Sequence, residues 1–522
     1  MKLINFLKPD RCQIDVNVTG IQEISLKDNK GSFDDISIEL IKGSFGVDLY
    51  VNNYQSQLSH IYLTYKLEVS ENELVFGDAI ERGYGDMIWS KVNKDRQMFW
   101  YVFINNYKEN ILRSFGVNVQ PNSFVSFKVD GDELFVDINV QSGGIGVSLN
   151  NSKLKACTFI EKVEKYENLL DSCKDFLQIL MCDVKKLELD SIVYGFNNWY
   201  YAYGESSYSQ IIKDTELLME VTRGLSVKPY MVIDDGWSKY SCSGPWVVNN
   251  KFKNMKKLAN EIKKLGARPG IWFRPLKDCE NNLPNCKHPL RDILFDPTCD
   301  EVLDFIYKDT KKFVDWGYEL IKFDFVTVDI FLNYGFEMPW NLCEQGWRFK
   351  YNNLTNAQII KKMYEVIRKA AGKAVLIGCN AVSHLCVGFV ELNRIGDDTS
   401  GAEFERTRKY GVNSLAYRLI QDDIFYKIDA DCVGVRGEEI PWMQNKQWLD
   451  LLSRSSSPLF VSCDPDKVTD EIKVDLIEAF KINQNQNIKV YPLDWFENLL
   501  PCKYLIDNIE YNYDWFLLDK KC

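Results

Sequence analysis

The sequence predicts a multidomain protein: an N-terminal β-sandwich domain over residues 1–185, a central (β/α)8 TIM barrel over 186–486 and a short C-terminal β-rich segment over 487–522. Three observations carry that prediction. The first part of the chain alternates apolar and polar residues between regular turn signals, the pattern of short half-buried strands. From Ser191 onward, eight short apolar runs alternate with amphipathic segments over about 290 residues, the size of one barrel. The tail is aromatic-rich and too short for an ordinary independent domain.

Composition sets the bounds. The 522 residues are 46% hydrophobic, 26% charged and 13% aromatic, a soluble globular composition with apolar material for a large core. The 63 basic and 74 acidic residues leave a net charge of −11, without long basic runs. That argues against nucleic acid or an anionic membrane as the main partner. The apolar run in Met1–Pro9 is too short for a signal peptide, and no stretch of about 18 apolar residues suggests a membrane span. The fifteen cysteines are dispersed and include no Cys-x-x-Cys pair, so they read as reduced, mostly buried thiols. The expectation is a soluble cytoplasmic protein. Three histidines, His60, His288 and His384, leave little for a histidine-rich metal site or a Ser-His-Asp triad. No cofactor or metal is expected, and carboxylates are the abundant catalytic groups.

The elements follow in order. Ser37-Ile38-Glu39-Leu40-Ile41 and Leu134-Phe135-Val136-Asp137-Ile138 alternate as strands do. Asp28-Asn29-Lys30-Gly31, Asp130-Gly131 and Gly143-Gly144 mark turns between such strands. Tyr166 to Lys186 has helical spacing and reads as a connecting helix. Barrel strands are expected at Ile192–Tyr194, Lys228–Ile233, Arg268–Phe273, Leu320–Phe325, Ala374–Gly378, Phe389–Arg394, Lys427–Val433 and Pro458–Ser462. Helices are expected at Ile211–Arg223, Lys256–Leu265, Val302–Trp316, Asn356–Ala371, Glu403–Leu419 and Thr469–Phe480.

Active sites of such barrels lie at the C-terminal ends of the strands. The first strand leads into Asn197-Asn198-Trp199-Tyr200, the second into Asp234-Asp235-Gly236-Trp237 and the third into Trp272-Phe273-Arg274-Pro275. The fourth carries Lys322-Phe323-Asp324, the fifth leads to Cys379-Asn380-Ala381-Val382-Ser383-His384 and the sixth gives Arg394-Ile395-Gly396-Asp397-Asp398. The seventh holds Asp429-Ala430-Asp431. Any one aspartate reads as a loop or capping residue. Six strand ends bearing aromatics, paired carboxylates, a lysine and arginines suit a sugar: rings stack on its apolar face and carboxylates accept from its hydroxyls.

These segments resemble glycoside hydrolase family 36, the melibiase-type α-galactosidases, and more distantly family 27. Asn197-Asn198-Trp199-Tyr200 looks like the family's Gly-Trp-Asn-Ser-Trp-Tyr segment. Asp234-Asp235-Gly236-Trp237 is similar to the pair that binds galactose hydroxyls. Lys322-Phe323-Asp324 resembles the Lys-x-Asp nucleophile motif, and Arg394 to Asp398 resembles the Arg-x-x-x-Asp acid/base motif. The resemblance implies retaining hydrolysis of a terminal α-linked galactose by double displacement. Asp324 would be the nucleophile and Asp398 the acid/base, their carboxyls about 5–6 Å apart. Trp199, Asp234, Asp235, Trp272, Lys322, Cys379 and Arg394 would bind substrate. The partner would be a small α-galactoside or oligosaccharide, and a homo-oligomer is compatible with this reading.

Further expectations attach to single residues. Asp398 must hold a proton at rest, so its surroundings should raise its pKa relative to Asp324. Lys322 shares a strand face with Asp324 and should keep it ionised. Arg394 should contact the substrate or the nucleophile. Trp199 and Trp272 are expected as stacking platforms, and Asp397, pointing the other way on an extended segment, as a supporting residue. Trp89 is a candidate to reach the site from the sandwich. His384 reads as a satisfied loop residue and Cys379 as buried wall. The sequence departs from the family pattern at Gly195-Phe196, at Arg274 and in the loop after the fifth strand. That loop bears on galactose against N-acetylgalactosamine. The alternatives are an α-N-acetylgalactosaminidase, a transglycosylase on the same scaffold or a non-catalytic carbohydrate-binding protein.

Overall fold

The structure, a computed structural model, describes residues 4–339, 341–437, 439–455, 457–485 and 488–518. Among these, twelve strands between Arg11 and Lys165 form one antiparallel sheet. The alternation seen in the sequence does what it should. Ile36, Ile38 and Leu40 are buried on the strand Ile36–Lys42, and Leu134, Val136 and Ile138 on Glu133–Asn139.

The expected two-sheet sandwich is instead one continuously hydrogen-bonded sheet, because its long strands change partners midway. Met98–Asn106 pairs with Phe124–Val129 only through Met98 and Phe99, then with Ile111–Val117 from Tyr101 onward. Between these lies Trp100, in the left-handed region at φ 69°, with its ring buried against His384. Such a bulge turns a corner in a strand. Leu154–Lys165 likewise pairs with Val47–Asn52 up to Phe159 and with Ile111–Val117 beyond it.

The helix Leu169–Leu180, capped by Asn168, leads to a nine-stranded parallel sheet. Its strands are Tyr194–Asn197, Tyr230–Ile233, Arg268–Phe273, Leu320–Phe323, Val375–Gly378, Leu392–Arg394, Lys427–Asp429, Cys432–Val435 and Leu459–Cys463. The expected seventh strand, Lys427–Val433, is split. Lys427–Asp429 pairs with Leu392–Arg394 at one end of the sheet, and Cys432–Val435 pairs with Leu459–Cys463 at the other. Only two residues separate the halves, so the sheet curves round until its ends meet.

Helices alternate with these strands. Tyr208–Val221, Met255–Leu265, Asn356–Ala371 and Asp470–Ile482 start at Ser207, Asn254, Thr355 and Thr469, each accepting a first-turn N–H. Asp300–Trp316 ends at Gly317 in the left-handed conformation. The single helix expected over Glu403–Leu419 is two short α-helices flanking a π-helical stretch, Thr407–Asn413. Among the described residues no helix is long and apolar enough to cross a membrane.

The antiparallel sheet is bolted to the barrel beside its C-terminal rim. Asp78 and Arg418 form a buried ion pair at 2.8 Å. In the loop after Asp78, Gly83 N donates to Ile395 O at 2.7 Å, and Met87 exchanges bonds with Asn413. Gly396 is needed at this contact: a Cβ there would lie 1.9 Å from Tyr410 O. A three-stranded sheet, Val490–Pro492, Lys503–Ile506 and Ile509–Asn512, closes the chain, and Trp495 near it packs on Trp89.

Candidate active site

Trp199, Asp234, Asp235, Trp272, Lys322, Asp324 and Asp398 all open onto one cavity of about 340 Å3 at the C-terminal ends of the parallel strands. Arg394 and Cys379 lie one layer behind it, buried, with Cys379 Sγ 3.8 Å from the Arg394 guanidinium.

The first four strands build the acidic floor. Asn198 Oδ1 accepts from Asp234 N at 2.8 Å and Asn197 Nδ2 donates to Asp234 Oδ2 at 2.8 Å, locking the first strand end to the second. Lys322 Nζ reaches the same oxygen at 2.9 Å, so its partner is Asp234 rather than Asp324. Burial alone would strip its proton, but Asp234 and the neighbouring acids outweigh that and keep it charged. Asp235 is held by Ser241 Oγ and Cys242 N, both at 2.9 Å, from the hairpin that follows it.

Asp324 receives Phe325 N at 2.7 Å on Oδ1 and Trp272 Nε1 at 3.1 Å on Oδ2. Trp272 is 2% exposed, its ring against Trp246. Its indole N–H thus holds Asp324, and little of its ring is exposed to the cavity it lines. The Asn380 amide fits its neighbours when its nitrogen donates to Asp324 Oδ1 at 3.0 Å and its oxygen accepts from Arg82 at 2.9 Å.

Asp398 accepts from the Arg394 guanidinium at 3.0 Å, and its side chain is 38% exposed toward the cavity. Arg394 thus serves Asp398 and not Asp324. The expected upward shift of Asp398 is reversed. Burial pushes its carboxyl up, but Arg394, Arg82 and Lys322 outweigh burial and hold it below the usual range. The raised acid is Asp431, which burial lifts to about 6 against Arg394 and with help from Asp398.

Other residues depart from expectation. Asp397 lines the cavity and pairs with Arg82 at 3.1 Å, because the strand ends at Arg394 and alternation stops there. Trp89 is buried against Phe76 and Trp495, away from the cavity. Arg82, from the same loop of the antiparallel sheet, reaches the site in its place. Tyr84, Asp397 and Glu81 keep it charged against the cost of burial. No local signal marks Arg82, since Asp397 and Asn380, the partners that place it in the site, are distant in sequence. Tyr334 and Phe336, stacked at 5.9 Å and partly exposed, line the mouth on the loop after the fourth strand. Arg274 is held by Asp329, and His384 is buried and bonded to Val117 O at 2.9 Å.

Burial pushes the Cys379 thiol well up, which disfavours a thiolate. Among the described residues, the group spaced to share a metal is Cys286, Cys299 and Glu301, none of which lines the cavity.

No family model matches the sequence, and no curated protein matches it. Solved structures do. The α-galactosidase TtGalA from Thermus thermophilus, in complex with p-nitrophenyl α-D-galactopyranoside, superimposes with a TM-score of 0.62 at 16% identity. The match covers 92% of this chain and 97% of that one. A doubly substituted form of the GH36 α-galactosidase AgaA from Geobacillus stearothermophilus, in complex with raffinose, gives 0.61 at 11% identity over 95% of this chain and 78% of that one. AgaB from the same organism gives 0.59 at 10% identity, over 93% and 77%. Across nearly its whole length, the chain has the fold of the GH36 α-galactosidases.

Proposed function

We propose that the protein is a retaining exo-glycosidase that releases terminal α-linked galactose through a covalent glycosyl-enzyme. The observation that carries this reading is the cavity itself: Asp324 and Asp398, from different strand ends, face one space whose floor is Asp234, Asp235 and Lys322. The shared fold with α-galactosidases supports it.

In this mechanism Asp324, oriented by Trp272, Phe325 N and Asn380, attacks the anomeric carbon. Asp398 protonates the departing oxygen. It then takes a proton from the water that cleaves the glycosyl–Asp324 ester, and two inversions give retention. Asp234 and Asp235 accept bonds from the 4- and 6-hydroxyls, with Lys322 as a donor beside them. Trp199 stacks on the ring and Tyr334 and Phe336 meet the leaving group.

Asp324→Ala should lower hydrolysis of an aryl α-galactoside by about 10³-fold or more. Near-full activity in that variant would sink the assignment. Running an aryl α-N-acetylgalactosaminide beside the galactoside decides the 2-substituent.

A further inference from the structure

Asp431 sits where the seventh strand breaks. Its φ of 72° is left-handed, a conformation that strains a non-glycine residue and persists where the surroundings impose it. The break turns a carboxylate that is 3% exposed into the small cavity inside the barrel, with Asn197, Lys322 and Arg394. Oδ2 accepts from Arg394 at 2.5 Å, from Thr399 N at 2.8 Å, from Thr399 Oγ1 at 3.1 Å and from the Tyr200 hydroxyl. The same terminal nitrogen of Arg394 donates to Asp398 at 3.0 Å and lies 3.2 Å from the Tyr200 hydroxyl. Two carboxylates therefore share one guanidinium nitrogen, and the phenol bonded to Asp431 also contacts that nitrogen.

We propose that Asp431 is a positioning residue for Asp398: competing for the same Arg394 nitrogen, it holds in common with Asp398 the single proton that the general acid donates. This rests on the reading of Asp398 as acid/base. Two carboxylates against one guanidinium leave an excess negative charge, and such a pair takes up a proton. Lys322 from the fourth strand, Arg82 from the antiparallel sheet and Asp429, two residues before Asp431, bear on the pair, and the cations favour Asp398 as the ionised partner at rest. The pair holds one proton in two arrangements, and the reactive one, with Asp431 as the carboxylate and Asp398 as the acid, is drawn on as the leaving oxygen gains charge. After Asp398 has deprotonated the attacking water, the reverse shift restores the resting state.

The test is the pH profile of kcat/KM for Asp431→Asn and Tyr200→Phe on two aryl α-galactosides, one with a dinitrophenolate leaving group and one with phenolate. Asparagine tolerates the left-handed backbone, so Asp431→Asn keeps the local fold. With Asp431 neutral, Arg394 bears on Asp398 alone. The alkaline limb should move to lower pH by about one unit, and hydrolysis of the phenyl substrate at neutral pH should fall about tenfold or more. The dinitrophenyl substrate, which needs no acid, should stay within about threefold. Tyr200→Phe, which takes a hydrogen-bond donor from the pair, should instead move the limb to higher pH, and it carries the test if Asp431→Asn does not fold. An unmoved limb, or equal losses on both substrates, would overturn the proposal. A wild type inactive on both would overturn the glycosidase reading and this inference with it.

Discussion

Arg82 joins the two candidate catalytic carboxylates to a loop that the barrel does not make. Its terminal nitrogen binds Asp397 at 3.1 Å beside Asp398, and it reaches Asp324 through the Asn380 amide. Arg82→Met would free that amide and leave Asp397 with Arg406, 3.6 Å away. Small displacements of a reacting group cost up to about 10²-fold, so kcat/KM on an aryl α-galactoside should fall by about 10- to 100-fold. Arg82→Lys, a point charge in place of a planar fork, should recover little of that. Wild-type kinetics in Arg82→Met would remove it from the site. The residues named from strand ends are legible because each lies within a few positions of its strand. Arg82 is not, because the sequence does not say which turn of a distant sheet meets the barrel. Trp89 is the candidate that aromaticity suggests from that sheet, and its ring is instead packed under the C-terminal segment.

The elements that read correctly carry their own punctuation. Asn356–Ala371 has both bounds as expected, with Thr355 and Gln358 forming a capping box and Gly372 following its last residue. Trp442–Arg454 escapes a sequence reading: it starts at Pro441 with no side-chain cap, and Leu449, Leu451 and Leu452 mix strand with helix spacing. The seventh strand misleads because its break is imposed by Asp431's partners, which are tertiary. Tyr208–Val221 shows a cost that such packing imposes. Its Asp214 is buried under the Tyr201 hydroxyl and Gln210, and burial raises its carboxyl to about 7. A raised acid stabilises the fold in its protonated form. That contribution is full below the unfolded value near 3.8 and is lost as pH rises through about 7. Asp214→Asn should therefore gain stability relative to wild type between about pH 4 and 7.5, by up to about 4 kcal/mol. Urea unfolding at the two pH values checks it, and a gap that does not change with pH would refute it.

At the scale of the whole molecule, the C-terminal rim of the barrel is finished by another sheet, so the joint between them is part of the candidate site. The joint's anchor is the Asp78–Arg418 pair, buried on both sides, with Gln421 Nε2 adding a bond to Asp78 at 2.7 Å. Arg418 also donates to Ile395 O at 3.2 Å, and Gly83 donates to that same carbonyl, one residue after Arg82. The anchor thus fixes the backbone that presents Arg82, and it does so on the segment that leads from Arg394 to Asp398. Asp78→Asn would leave the Arg418 charge buried with one partner fewer, a loss of about 3–5 kcal/mol by the usual cost of breaking a buried pair. Other bonds hold the joint elsewhere, such as Gln120 N to His384 O at 3.0 Å, Asn356 N to Gln141 O at 2.7 Å and Thr355 Oγ1 to Asn122 O at 2.7 Å, so the loss should loosen the side of the joint that presents Arg82 before sheet and barrel unfold. The expected signature is sequential. On heating, activity of Asp78→Asn should disappear several degrees before the far-UV circular dichroism falls, whereas in the wild type the two should fall together. Coincident loss of both signals in the variant would mean that sheet and barrel melt as one unit, and that the anchor stabilises the molecule without gating the site.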